Sequence, residues 1–471
     1  MTTRPSHALQ VAIMAAGKGT RMKSAKPKVL QTLAGRPLLD HVIATAQQLK
    51  ASRTVVITGH QAESVEAAVR ATWGDQSAIE FALQMPQLGT GHAMQQAAAF
   101  LDDGATVLVL SGDVPLTQAD TLERLIGASA DRHLALLSVR LSDPTGYGRI
   151  VRNPSGAVQA IVEHKDASPD ERTIDEVYSG IMAVPAKALK SWLQRLDNHN
   201  AQQEYYLTDI VKFAIADGVA VVAVTTDDPM EVEGVNSPMQ LATLERVYQL
   251  RQAQQLMQAG VRLADPHRID VRGELACGQD VEIDINCVFS GRVTLGNGVR
   301  IGAHCVLSDC TISDGAQIHP FTHIEGQKQP IHIGAGSLIG PFARLRPGAH
   351  LGSDVHIGNF VEVKNSTLAD GAKANHLAYL GDAVVGERVN YGAGSITANY
   401  DGANKHKTTI EADVHVGSNC VLVAPVTIGA GGTIGAGSTI TKDTAANALS
   451  LTRAKQASIN NWSRPAKKKP T

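Results

Sequence analysis

The stretch IHIGAGSLIGPFARLRPGAHLGSDVHIGNFVEVK, residues 331–364, runs on a beat of six. Ile333, Ile339, Leu345, Leu351, Ile357 and Val363 are evenly spaced, and Ala343, Ala349, Val355 and Val361 stand two places before four of them. If about a quarter of residues are Ile, Leu, Val or Phe, six hits in a row arise by chance roughly once in four thousand trials. The beat also runs through Ile283, Phe289, Leu295, Ile301 and Leu307, and later through Val416, Leu422, Ile428, Ile434 and Ile440. Six fits neither the 3.6 period of a helix nor the strict alternation of a sandwich strand. Three hexads per coil, each aliphatic residue pointing inward, predict a parallel β-helix.

The position after each inward residue is mostly glycine, as in Gly334, Gly340, Gly352, Gly358 and Gly417. Arg346 and Lys364 depart from that rule one coil apart, so stacking sets two cations about 4.8 Å from each other, a natural phosphate clamp. The beat then fails at AKANHLAYLGDA (372–383), which reads as a loop carrying His376, with Tyr379 and Asn390 following. An imidazole beside a phosphate clamp is a candidate general base. A second excursion, TANYDGANKHKTT (397–409), is long enough to reach a neighbouring chain. Three flat faces offer no deep pocket, so a homotrimer through the β-helix, with sites between copies, is the expected arrangement.

The first half has another grammar. Aliphatic runs such as LQVAIMAAG, RTVVITGH, ATVLVLSGD and HLALLSVRL alternate with helix-length segments, which predicts a mostly parallel sheet with helices on both faces. MAAGKGTRM (14–22) is a glycine turn placed where the sheet meets a helix. It lacks the third glycine of a dinucleotide fingerprint and the GK[ST] of a P-loop. Lys18 and Arg21 inside it, with Lys26 and Lys28 beyond, gather cations and free N–H groups suited to a polyphosphate. Asp113 ends an apolar strand at the sheet's carboxyl edge, where one carboxylate suits Mg²⁺. Ser237, Pro238 and Gln240 form a capping-box start for a helix ending near Gly260. The expected organisation is a nucleotide-handling domain over 1–236, a linker helix over 237–262, a β-helix over 263–455 and a basic tail over 456–471.

Composition narrows the partners. The chain has 471 residues, 43% of them hydrophobic and 19% charged, with net charge −2. It has no basic excess for nucleic acid and no apolar run for a membrane span. The opening MTTRPSHALQ has no apolar signal segment, which points to the cytoplasm. The five cysteines, without a CxxC pair, read as small buried residues.

MAAGKGTRM…KPKVL, QLGTGHA, SGDVPL, DPTGYGRI, IVEHKDA and EVEGVN, followed by RLRPGA, NFVEVK, NHLAYLGD and NYDGANK, resemble one family from about residue 9 to 465. It is the bacterial GlmU-type family of bifunctional N-acetylglucosamine-1-phosphate uridyltransferases and glucosamine-1-phosphate N-acetyltransferases. The resemblance implies a Rossmann-like nucleotidyltransferase joined to a left-handed parallel β-helix, and a trimeric enzyme supplying a cell-wall precursor. It implies acetyl-CoA and UTP as co-substrates, sugar phosphates as substrates and Mg²⁺ as cofactor. By motif, Met14, Ala15, Ala16, Gly17, Lys28, Gln84, Gly89, Thr90, Ser111, Gly112, Gly148 and Glu163 would line the uridine-nucleotide and sugar pocket. Arg21 and Lys28 would neutralise phosphates, and Asp113 and Asn236 would hold Mg²⁺. Arg346, Lys364, Tyr379 and Asn390 would bind glucosamine phosphate, with His376 as base. Ala393, Asn399, Tyr400, Ser418, Ala436 and Arg453 would bind acetyl-CoA. One position departs from the pattern: Tyr178-Ser179-Gly180 stands where the family has Asn-Thr-Gly, and a tyrosine lacks an amide's paired donor and acceptor. Tyr178 would then meet the nucleotide sugar through its hydroxyl, or leave that contact to the backbone and Glu163.

Overall fold

The computed structural model describes residues 8–74 and 78–467; the first seven residues and the Lys468–Thr471 end of the basic tail lie outside the described residues. The chain divides into two compact units, Met1–Tyr248 and Gln249–Thr471.

In the first unit seven strands form one sheet: β1 (Leu9–Met14), β2 (Arg53–Thr58), β3 (Ile79–Leu83), β4 (Thr106–Ser111), β5 (Leu134–Arg140), β6 (Glu176–Pro185) and β7 (Val221–Thr226). Their order is β7-β5-β6-β4-β1-β2-β3, and a hairpin of Arg149–Arg152 with Val158–Val162 hangs from β6. Every pairing in the main order is parallel except the two made by β6. Val11, Ala12 and Ile13 in β1, and Val107, Leu108 and Val109 in β4, have no exposure. Continuous apolar runs of this kind belong to strands covered on both faces.

The glycine turn meets no α-helix directly. After β1 the chain makes short 3₁₀ turns at Thr20–Met22 and Lys28–Leu30, and the first α-helix is α1 (Leu38–Gln48). Gly19 is left-handed (φ +59), and a Cβ there would meet the Lys28 side chain at 2.6 Å. The turn therefore closes onto Lys28 instead of launching a helix. Farther on, the capping box forms: Ser237 Oγ accepts from the Gln240 N–H at 3.3 Å, and Gln240 Oε1 accepts from the Asn236 N–H at 3.0 Å. The helix Pro238–Gln258 follows, and Gly260 (φ +98) ends the turn after it.

The second unit is a parallel β-helix with three strand-bearing faces around one core. On the first face Ile339 pairs with Ile357, Ile357 with Ala374, Ala374 with Tyr391, Tyr391 with Val416 and Val416 with Ile434. Two expectations are corrected here. The beat does not break at 372–383. Two corners shorten by one residue, between Val363 and Leu368 and between Leu380 and Val385, so the hexads change phase while Leu368, Ala374, Leu380 and Val385 stay buried. His376 accordingly ends a strand, Lys373–His376, instead of lying in a loop. The glycine rule also proves to belong to two corners of three. There the chain crosses the coil above at contact distance, and a Cβ on Gly334 would lie 2.3 Å from the Gly352 carbonyl carbon. The corner of Arg346 and Lys364 has Ser308, Gly381 and Ala398 in the same slot on other coils, so room for side chains is general there.

Gly334→Ala is expected to cost about 2 kcal/mol, read by urea unfolding, because the Cβ meets backbone that cannot yield. Gly298→Ala, with φ +65 and nothing within 4 Å, should cost only the left-handed strain of about 1 kcal/mol. Cys287, Cys305, Cys310 and Cys420 are buried and Cys277 is half-buried, all as free thiols. Burial pushes the Cys305 and Cys310 thiols up to about 12, so they stay protonated and unreactive.

Candidate active sites

In the first unit the carboxyl ends of β1, β2 and β4 meet. The Gly112 N–H donates to Met14 O at 2.9 Å, Ala15 N–H to Ile57 O at 2.9 Å and Gln84 N–H to Thr58 O at 2.8 Å. These bonds draw Met14, Ala15, Gln84, Ser111 and Gly112 to one sheet edge, the ligand edge of open α/β folds. Gly17, Lys18 and Lys26 are exposed.

Arg21, Lys28, Asp113 and Asn236 converge. Arg21 Nη2 donates to Asn236 Oδ1 at 2.8 Å, and Lys28 Nζ reaches the same oxygen at 3.2 Å while pairing with the Asp113 carboxylate. One ammonium thus sits between an acid oxygen and an amide oxygen, which both face a single cationic position. The capping box fixes Asn236 there through its own N–H. Among the described residues no three His, Cys, Asp or Glu side chains group as a metal cage. A lone carboxylate with one amide oxygen suits a cation that takes its other ligands from phosphate and water.

Leu207 and Thr208, which the sequence analysis missed, tie together several of the residues expected to line the sugar pocket. Gln84 Nε2 donates to Gly89 O at 2.9 Å, Thr90 Oγ1 accepts from the Leu207 N–H at 3.1 Å, and Thr208 Oγ1 donates to Glu163 Oε1 at 3.0 Å. The 207–208 turn therefore links Thr90 to Glu163. Burial raises the Glu163 carboxyl above the usual range, against the pull of Thr208. Tyr147, inside DPTGYGRI, donates to Glu233 Oε2 at 3.2 Å, and burial with the nearby Glu233 and Asp113 charges pushes its phenol up to about 12.

Tyr178 lies where β6 bulges against β5, its N–H donating to Gly148 O at 2.9 Å. Its side chain is buried, and among the described residues its hydroxyl has no hydrogen-bond partner. Desolvation and the charge of Glu163 hold the phenol well above its ordinary value. Removing an unpartnered buried hydroxyl relieves a desolvation cost, so Tyr178→Phe should leave the melting temperature unchanged or higher. If the hydroxyl meets the sugar, the same variant raises KM for the sugar phosphate several-fold; calorimetry and steady-state kinetics read the two effects separately.

In the second unit, register gathers the predicted residues on two corners. His376 pairs with Asn359 on the coil before it. Ala393, Ser418 and Ala436 occupy the same slot, two places past Tyr391, Val416 and Ile434, which stack in turn. The Asn419 N–H donates to Ala393 O, and the Gly437 N–H to Ser418 O, both at 2.8 Å. Arg453 closes the row, near Gly435 and Gly437. His376 thus heads a ladder that continues through four of the predicted acetyl-CoA residues. Asn359, missed in the sequence, accepts from His376 Nδ1 at 2.9 Å. With Oδ1 as acceptor, Nδ1 carries the hydrogen, so in the neutral ring the lone pair is on Nε2.

The opposite corner of the face holds Arg346 and Lys364. Arg346 Nη1 bonds Glu362 Oε1 at 2.7 Å, so one cation of the clamp already has an acid partner. The 397–409 excursion folds back on itself through a Tyr400–Lys405 bridge and lays Lys405 against Lys364. That contact, more than burial, holds the Lys364 ammonium below the usual lysine range. Three cations, where two were expected, meet at this corner. Tyr379 points outward between the two corners, in the row of Arg344 and Glu362. Asn390 does not join them: it is exposed on the neighbouring face, in line with Lys373 and His415.

A model of the MobA-like NTP transferase domain matches residues 11–204, and one of the bacterial transferase hexapeptide (six repeats) matches 277–309, 330–365 and 407–442. Bifunctional protein GlmU of Acidovorax sp. (strain JS42) is 67% identical over 470 residues, covering 98% of this chain and 99% of that protein. Its namesake in Albidiferax ferrireducens is 68% identical over 465 residues, covering 98% and 100%. The one in Aromatoleum aromaticum is 56% identical over 461 residues, covering 98% and 99%. A nucleotidyltransferase sheet, a hexapeptide β-helix and near full-length identity on this scale place the chain in the bifunctional GlmU family of transferases.

Proposed function

We propose that the chain makes UDP-N-acetylglucosamine in two transfers, one in each unit. In the second unit glucosamine-1-phosphate docks its phosphate on Arg346, Lys364 and Lys405. His376 Nε2 takes a proton from the amine as nitrogen attacks the acetyl-CoA thioester, and the imidazolium returns it to the departing thiolate. In the first unit the phosphate of N-acetylglucosamine-1-phosphate attacks the α-phosphorus of UTP, and pyrophosphate leaves. Arg21 and Lys28 neutralise the phosphate oxygens, while Glu163 and the Gly148 backbone receive the sugar. Mg²⁺ held by Asp113 and Asn236 would supply further charge neutralisation along the triphosphate. Lys28 would then leave the Asp113 carboxylate and turn onto phosphate.

The observation that carries this reading is the single corner ladder His376, Ala393, Ser418 and Ala436, which sets the imidazole in line with residues expected to meet the acetyl donor. A homotrimer through the β-helix accords with two further features. His304, Phe321, Phe342 and Phe360 stack at 4.9, 5.0 and 5.3 Å, and Phe321, Phe342 and Phe360 are about half-exposed along one corner. Such a stripe is an interface waiting for a partner. Asn390, on the wrong face to reach Arg346 of its own chain, would be in place to serve an adjacent copy. The product is a cell-wall precursor, and its synthesis belongs in the cytoplasm.

The test measures each half separately. Wild-type protein should release thiol from acetyl-CoA with glucosamine-1-phosphate, and pyrophosphate from UTP with N-acetylglucosamine-1-phosphate and Mg²⁺. Silence in either assay removes that half of the reading.

A further inference from the structure

Asn365, Asp382 and Asn399 occupy one slot on three successive coils, each the residue after Lys364, Gly381 and Ala398 in the stacked corner. The Asp382 carboxylate is held from both sides: Asn365 Nδ2 donates to Oδ1 at 2.5 Å, and Asn399 Nδ2 donates to Oδ2 at 2.5 Å. Its own N–H donates to Lys364 O at 3.1 Å, and its carbonyl accepts from the Thr408 N–H at 3.2 Å, where the excursion rejoins the coil. Its charge also bears on both Lys364 and Lys405. A half-buried acid that touches the cationic corner, the Asn399 amide and the foot of the excursion joins what the sugar phosphate needs to what the acetyl donor needs.

We infer that Asp382 is a positioning residue of the acetyl-transfer site, which orients the Asn399 amide for the acetyl donor and counterbalances Lys364 and Lys405 until phosphate arrives. This rests on the acetyl-transfer reading above. By accepting a hydrogen bond from Asn399 Nδ2, the carboxylate sets which way the Asn399 side-chain amide faces. An asparagine at 382 presents one oxygen and one NH₂ group, so it satisfies one neighbouring amide and opposes the other. It also removes the negative charge, which competes with phosphate for the two lysines.

The two roles make opposite kinetic predictions for Asp382→Asn in the full-length protein. KM for acetyl-CoA should rise about tenfold, the loss of one charge-assisted hydrogen bond. KM for glucosamine-1-phosphate should stay level or fall, and pyrophosphate release in the other unit should not change. Asn399→Ala should show the same rise in KM for acetyl-CoA, and the double variant no more than either alone, because both remove one contact. A purely structural Asp382 would raise both KM values together and lower the melting temperature. That result, unchanged kinetics, or additive single variants would each overturn the inference while leaving the acetyl-transfer reading intact. Absence of acetyl transfer in the wild type would overturn both.

Discussion

His376→Ala is expected to slow acetyl transfer by about 10²–10⁴, the usual range for removing a positioned general base. Pyrophosphate release in the first unit should be untouched. The reason is geometric: His376 ends a strand at an exposed corner, and its Nδ1 bonds Asn359, which in the neutral ring puts the lone pair on Nε2. Alanine takes away the base but no core contact, since the inward residues of that coil are Ala374 and Leu380. The melting temperature should therefore hold, and thiol release is the measurement. His376→Gln sharpens the point, because a glutamine can copy a hydrogen bond but cannot carry the proton. It should be as slow as alanine.

Asp113→Asn should lower pyrophosphate release by about 10²–10³, the size of effect seen when one preorganised charge is removed from a transferring phosphoryl group. In the free protein Asp113 pairs with Lys28, and both side chains are largely buried. The variant leaves Lys28 with two amide oxygens and no acid, so a modest loss of stability, about 1–2 kcal/mol, should accompany it. On the proposed role of Asp113 in holding Mg²⁺, raising Mg²⁺ should recover little of the rate, because Asp113 is the only carboxylate in the cluster of Arg21, Lys28, Asp113 and Asn236. Acetyl transfer should continue at the wild-type rate, which separates a local effect from unfolding.

How legible these sites were depends on the period of the chain. Inward hexads were readable because each buries an aliphatic side chain and nothing else can stand there; stacking then followed from arithmetic, and Arg346 with Lys364 came with it. The same arithmetic misled at 372–383. A corner shortened by one residue shifts the phase of the beat without opening the coil, and a pattern held to a strict six reads the shift as a loop. Lys405 escaped because its position depends on how an irregular excursion folds back, which no period encodes. Thr208 escaped for a related reason, since it acts through a hydrogen bond to a residue that no repeat brings near, and Asn359 escaped because the shortened corner sets it 17 residues from His376, off the strict beat. Asn236 was found by motif, but its fixing by the Gln240 side chain is capping chemistry that Ser237 and Gln240 announced in advance. Tyr178 was visible as a departure, yet only the fold shows its hydroxyl buried with no partner among the described residues.

The central claim is that two independent active sites act in sequence on one sugar. It is tested by supplying glucosamine-1-phosphate, acetyl-CoA, UTP and Mg²⁺ and weighing the nucleotide sugar formed. His376→Ala and Asp113→Asn should each yield almost none alone, while an equal mixture of the two restores synthesis, since the acetylated sugar phosphate released by one is the substrate of the other. A mixture as inactive as its components, or UDP-N-acetylglucosamine made at the full rate by either variant alone, would contradict it.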